Sequence, residues 1–298
     1  VKHLKVIFLL AFLFLFTACD NKDANGEYKP QGVSAMQLTY TIGVHPYLNS
    51  KRMYLSYRPI LDYLEENMQG VRFELQTAPE YEEYEKKLYA CVYDFALPNP
   101  YQTVNSVKYG YRVIAKMKPD GVFRGIIVAR KSQKLKNISD LKGKAVSFPA
   151  KTALAAAMMP LYFLHENGLD IKNDIESKFV GSQFSSIMNA YTGDTVAAAT
   201  WPPPWEQWKS ENPKMAEEME VVWTTKPLVN NGFVAKNSVE NSISSRVADL
   251  LVKLGESEKG AKILRDAGFD GFEYADESKY EPVKVFLERY NKVIGLPK

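Results

Sequence analysis

Residues 180–205 read VGSQFSSIMNAYTGDTVAAATWPPPW, and the fold turns on how they are interpreted. The segment opens at the end of a strand over 177–180 and turns through Gly181. Ser182, Gln183, Ser185 and Ser186 then gather where a helix begins. A second strand spans 196–200 and breaks into Trp201, three prolines and Trp205. Backbone N–H groups in the first turn of a helix lack partners and lie at the positive end of its dipole, so hydroxyls there suit an oxyanion. Serines also cap helices with no ligand involved. Taken alone, the segment leaves both readings open.

The preceding strand-to-helix joint narrows them. A strand over 144–148 ends at Phe148, Pro149 and Ala150 turn, and an alanine-rich helix is expected to start near Thr152 or Ala153. Thr152 can cap that helix and offer its hydroxyl outward. Lys151 is either a cation beside the same terminus or an ordinary solvated lysine. Ala153, Ala155 and Ala156 keep the first turn free of bulk, which lets a ligand approach the backbone. In a parallel sheet both joints leave at one edge, so Thr152 and the cluster at Ser182 face each other across one small volume.

Further out, the pattern repeats. Strands are expected over 38–44, 71–76, 93–97, 111–115 and 122–130, with helices over about 53–64 and 80–90 and Pro59 kinking or restarting the first. Strands alternating with helices predict α/β architecture with a mainly parallel sheet. In ALPNPY, residues 96–101, Asn99 is placed as N-cap and Pro100 as the first helical residue. Tyr101 then stands on the rim of a first lobe, offering its phenol to a ligand, or packs beneath the loop. A second lobe begins near Gly125 and gives way to the first again at 233–235. Asn230 and Asn231 would lie by that return crossing, within reach of a ligand, although Asn-Gly is also an ordinary turn pair. Helices over 242–254, 257–267 and 280–294 complete the chain.

The N-terminal segment reads as an export signal. Lys2, His3 and Lys5 precede an apolar run over 6–16, too short for a membrane span, and Thr17, Ala18 and Cys19 follow. Phe16 to Cys19 resembles a bacterial lipobox, which implies a signal over 1–18, lipidation of Cys19 and a membrane anchor. Residues 19–37 are polar and aperiodic, a tether. Only Cys91 remains, so no internal disulfide is expected. Without Lys2 and Lys5 the balance of 38 basic and 35 acidic residues becomes 36 against 35, and no basic stripe carries interleaved aromatics, which argues against nucleic acid.

The three histidines, His3, His45 and His165, stand in no metal-ligand spacing, and no CxxC, GxSxG, P-loop or GxGxxG occurs. Neither metal nor cofactor is expected, and enzyme is the weaker class.

The order of GVHPY…YRPILDYLEE, YDFALPNPY, FRGIIVARKS…ISDLKGKAVSF, VGSQFSSIM and DESKYEPVKVFLERY resembles the phosphate/phosphite/phosphonate-binding family of ABC-transporter substrate-binding proteins. The likeness runs from Leu38 to Ile294. It implies a type II periplasmic binding fold of two α/β lobes, 38–124 plus 234–298 and 125–233, joined by two crossings. It also implies hinge closure on a small phosphorus oxyanion, without catalysis, by a monomer that hands its ligand to an ABC permease. Site residues so implied are Tyr101 from lobe one and Lys151, Thr152, Ser182, Gln183, Ser185 and Ser186 from lobe two. Where the family carries a Ser-Thr-Ser-like run, Lys151-Thr152-Ala153 keeps one hydroxyl, and Gln183 replaces a common histidine. Losing those groups weakens the case for a dianion held by several charge-assisted bonds. Trp201 and Trp205 then either wall an organic substituent or pack between lobe and proline segment. Two other classes are carried: a lipoprotein of the same fold sensing its ligand for a sensor kinase, and an exported hydrolase using Ser182 or Ser185.

Overall fold

The computed structural model describes residues 37–297, so the signal, lipidation and most of the tether expected above lie outside the described residues. Lobe one opens with β1 (Leu38–Val44), α1 (Ser50–Glu66), β2 (Val71–Gln76), α2 (Tyr81–Tyr89), β3 (Phe95–Leu97), α3 (Pro100–Lys108) and β4 (Tyr111–Lys118). Lobe two carries β5 (Ile126–Arg130), β6 (Lys144–Phe148), α4 (Met159–Glu166), β7 (Ile175–Phe179), α5 (Gln183–Thr192) and β8 (Ala197–Thr200). It ends with α6 (Pro202–Glu211), α7 (Pro213–Ala216) and β9 (Met219–Thr224). The chain returns to lobe one as β10 (Gly232–Lys236), α8 (Asn241–Lys253), α9 (Glu258–Ala267), β11 (Gly271–Tyr274) and α10 (Glu281–Val293).

Local chemistry explains most of these boundaries. The Asn49 side chain accepts from the Arg52 N–H and starts α1, whose Met53, Tyr57, Ile60, Leu61 and Leu64 bury one face. Pro59 lies inside that single helix and neither ends nor restarts it. Asn99 caps α3 and exchanges bonds with Gln102 in a capping box, with Pro100 as the first helical residue. The break expected at Trp201 is instead the start of α6. Prolines 202–204 fill its first turn, where a missing N–H leaves nothing unpaired and the fixed φ is already helical.

Lobe one holds a six-stranded sheet, β11-β4-β10-β3-β1-β2, and lobe two a five-stranded sheet, β7-β6-β8-β5-β9. Both are mixed, which corrects the expectation of a mainly parallel sheet. β1 pairs parallel with β2 and β3, and β6 with β7 and β8. β10 runs antiparallel to β3 and β4, and β5 runs antiparallel to β8 and β9. Parallel neighbours need a crossover helix, and β5 and β10 arrive directly from the other lobe, so they enter from the opposite end.

The two crossings clasp each other. Thr225 N–H donates to the Gly125 carbonyl at 2.9 Å, and Gly125 N–H donates to Thr225 Oγ1 at 2.9 Å. Leu228 N–H reaches the Phe123 carbonyl, also at 2.9 Å. A Cβ on Gly125 would stand 2.5 Å from the Ala155 carbonyl oxygen and 2.7 Å from the Pro160 ring, so only glycine lets the crossing pass this close. One apolar core runs through both lobes, and a smaller one in lobe two gathers Ile126, Val128, Ile187, Ala190, Ala198, Trp205, Trp208 and Met219.

Candidate ligand-binding site

The two joints of lobe two meet at one edge. β6 and β7 run parallel with Phe148 opposite Phe179, so both strands deliver their chains to the same end. Beyond the strands the pairing continues: Val180 N–H donates to the Phe148 carbonyl at 2.9 Å, and Gly181 N–H to the Pro149 carbonyl at 2.8 Å. Gly181 adopts φ +86°, a left-handed conformation that turns the chain sharply into α5. The turns that lead to Thr152 and to Ser182 thereby start side by side, at Pro149 and Gly181.

Ser182 is the N-cap of α5. Its Oγ accepts from the Ser185 N–H at 3.0 Å and its hydroxyl donates to Ser185 Oγ at 2.9 Å. Gln183, 3% exposed, is a wedge between lobes: its Oε1 accepts from the Thr200 hydroxyl at 2.8 Å, and its Nε2 donates to the Tyr81 phenol of lobe one at 3.1 Å. Burial pushes the Tyr81 phenol's pKa upward, outweighing the bond to Gln183, so it stays protonated. Thr152 makes a second link, its carbonyl accepting from Asn99 Nδ2 at 3.0 Å. Two lobe-two residues expected to hold ligand are therefore partnered by lobe-one side chains.

After the Lys151–Thr152 turn, the expected alanine-rich α-helix begins as a single π turn over Leu154–Met158, and α4 starts only at Met159. Such wider turns concentrate at functional sites. Ala153, Ala155 and Ala156 are buried, and the backbone carbonyl of Ala155 lies against Gly125 of the first crossing. Lys151 is exposed, its Nζ 5.8 Å from the centre of the Phe179 ring.

Other sequence candidates are committed elsewhere. The Ser186 hydroxyl, fully buried, donates to the Ala199 carbonyl at 2.9 Å. Asn230 Nδ2 donates to the Pro119 carbonyl at 3.0 Å, and its N–H donates to Asp120 Oδ1 at 2.9 Å, so it ties the second crossing to the first. Asn231 Nδ2 contacts the Met117 sulfur at 3.4 Å. Tyr101, half-buried in the first turn of α3, lies beside Glu85, Asn105 and Tyr109. The tryptophans part company. Trp201 packs edge-on against Tyr47 of lobe one at 5.4 Å and lies 5.6 Å from Phe123 of the first crossing. Trp205 instead stacks on Trp208 at 5.4 Å in the small lobe-two core.

An interlobe cavity of about 310 Å³ adjoins the seam, bounded by Tyr47, Asn49 and Arg52 on one side and Ser182, Gln183 and Trp208 on the other. The starts of α1 and α5 both line it, and the Arg52–Glu211 ion pair, 2.7 Å, joins the lobes across it. A larger groove of about 640 Å³, between α4, the second crossing and α10, is lined by no candidate ligand residue. Tyr47, Tyr81 and Arg52 are lobe-one contributors that sequence reasoning missed. The β1–α1 joint, cap included, was the available signal for Tyr47 and Arg52. No local pattern marks Tyr81. His45 is buried in this seam, its Nδ1 2.8 Å from the Leu97 carbonyl oxygen.

Hydroxyls, amides and helix starts around a small enclosed volume suit reversible capture of an anion. A serine hydroxyl that donates to its neighbour, as Ser182 does, is not paired with a base.

Comparison with known proteins agrees with this architecture. Residues 42–280 match the family model described as ABC transporter, phosphonate, periplasmic substrate-binding protein. A probable ABC-transporter phosphite-binding protein of Prochlorococcus marinus (strain MIT 9301) is 27% identical over 205 residues, 64% of this chain and 67% of that protein. Among solved structures, a binding protein component of an ABC phosphonate transporter from Pseudomonas aeruginosa superposes with a TM-score of 0.79 at 15% identity, covering 86% of this chain and 88% of that one. A Prochlorococcus marinus binding protein in complex with methylphosphonate gives 0.77 at 20% identity, covering 86% and 99%. At these identities the structures speak for the fold, and the family model carries the assignment: the chain belongs to the family of phosphonate-class periplasmic substrate-binding proteins of ABC transporters.

Proposed function

We propose that this protein captures a small phosphorus oxyanion, a phosphonate, phosphite or phosphate, between its lobes and delivers it to an ABC permease. Residues 38–124 with 234–297 move as one lobe and 125–233 as the other, hinged at the clasped crossings. Thr152, Ser182 and Ser185 supply hydroxyls from lobe two, Gln183 an amide, and Tyr81 and Asn99 answer from lobe one. Cys19 carries the lipid that holds the protein at the membrane's outer side. The observation that supports this reading is the edge-to-edge pairing of the two joints, through Val180 to Phe148 and Gly181 to Pro149, with Ser182 and Gln183 lining the interlobe cavity.

Calorimetric titration of the purified protein with phosphate, phosphite and methylphosphonate tests it. Saturable binding of at least one is expected, weakened by Ser182→Ala. Binding of an uncharged or cationic solute with no heat from any oxyanion would overturn the reading. Lipidation is tested separately: Cys19→Ala should release the protein from the membrane fraction.

A further inference from the structure

A single ion pair among the described residues joins lobe to lobe. Arg52 Nε, on α1, donates to Glu211 Oε1, on α6, at 2.7 Å, and Gln207 Nε2, one turn back on α6, donates to the same oxygen at 2.6 Å. Every other ion pair among the described residues stays within one lobe. Both charges of the interlobe pair stand at the unfavourable ends of their own helices. Asn49 caps α1, which makes Arg52 a cation in its first turn, and Glu211 is the last residue of α6. A helix is positive at its start and negative at its end, so each helix disfavours the charge it carries there. Across the seam each charge meets both an opposite charge and the helix end that favours it.

Parting the lobes separates the pair and returns each charge to a helix end that opposes it. The two side chains are 42% and 28% exposed, so salt screens their attraction. Arg52 and Glu211 line the same cavity as Ser182 and Gln183. Whatever favours the closed form also tightens a ligand that binds that form alone. We infer that Arg52 and Glu211 are positioning residues for ligand retention: an interlobe latch that holds the closed form and weakens as ionic strength rises. The inference rests on the oxyanion reading above and adds to it the contact that keeps the ligand enclosed.

The test is calorimetric titration of the full chain and of Glu211→Gln with phosphate, phosphite and methylphosphonate, at low and at high sodium chloride. Glutamine keeps a carbonyl acceptor for Arg52 and Gln207 but removes the charge. At about 50 mM salt the variant is expected to bind about threefold more weakly than wild type, within the range of a partly exposed ion pair. At about 500 mM, where the Debye length is about 4 Å, the gap should shrink below about 1.5-fold. Reversing the pair, Arg52→Glu with Glu211→Arg, should restore binding at low salt to within about 1.5-fold of wild type, while either reversal alone costs at least about threefold. A merely structural role for either residue predicts neither the salt dependence nor the restoration. Equal affinity of Glu211→Gln and wild type at low salt overturns the latch and leaves oxyanion capture intact. So does a deficit that salt does not shrink, or one that the reversed pair does not restore. Failure of wild type to bind any of the three oxyanions removes the oxyanion reading and this inference with it.

Discussion

Acid should loosen this protein through His45. The imidazole follows β1 at the seam, 2% exposed, with its ring centre 5.1 Å from that of Tyr47 and 6.2 Å from that of Tyr81. A carbonyl only accepts, so the Nδ1 that faces Leu97 O carries the proton and Nε2 is bare in the neutral ring. Burial lowers the pKa from 6.5 to about 4, against the smaller opposing pull of the Leu97 bond. Between those values the unfolded chain takes up a proton that the folded chain refuses. Stability is therefore complete above 6.5 and falls as pH drops toward 4. At about 1.36 kcal/mol per pKa unit, the loss attributable to His45 is about 2 kcal/mol by pH 5 and about 3 kcal/mol by pH 4. Urea unfolding of wild type and His45→Asn across this range reads it directly, since the asparagine amide can donate to Leu97 but cannot titrate. Other titrating groups, including Glu85 with its opposite sign, are common to both proteins and drop out of the difference. The reasoning fails if the two stability curves stay parallel within about 0.5 kcal/mol, the scatter expected of such paired measurements, down to pH 4.5.

Three further outcomes follow from contacts at the seam and hinge. Gln183→Leu strands two buried hydroxyls, Thr200 Oγ1 and Tyr81 OH, so equilibrium unfolding should show a loss of about 1–3 kcal/mol for each. The same variant should bind oxyanions more weakly in calorimetry. Gly125→Ala drives a Cβ against the Ala155 carbonyl and Pro160 and should cost about 1–3 kcal/mol, whereas Gly121→Ala, with nothing within 4 Å, should leave the denaturation midpoint almost unmoved. Trp205→Ala empties the stacked pair in the small core of lobe two and should lower stability by about 3–5 kcal/mol in the same assay.

The sequence by itself determined the features that arise within a few residues. Asn99 with Pro100, Ser182 after Gly181, and the apolar face of α1 are all legible because capping and helical period are set by atoms three or four residues apart. What only the tertiary structure decided depends on groups far apart in the chain. Thr152 meets Asn99, and Gln183 meets Tyr81, 102 residues away, because lobe one folds over the joints; no spacing encodes such pairs. Ser186 and Asn230 looked like their neighbours in sequence, yet their faces turn inward, to a β8 carbonyl and to the other crossing. The tryptophans at the end of the opening segment separate for the same kind of reason. Trp201 precedes α6 with extended backbone, φ −141° and ψ 167°, and so reaches Tyr47 and Phe123. Trp205, one turn inside the helix, is carried onto Trp208 in the core.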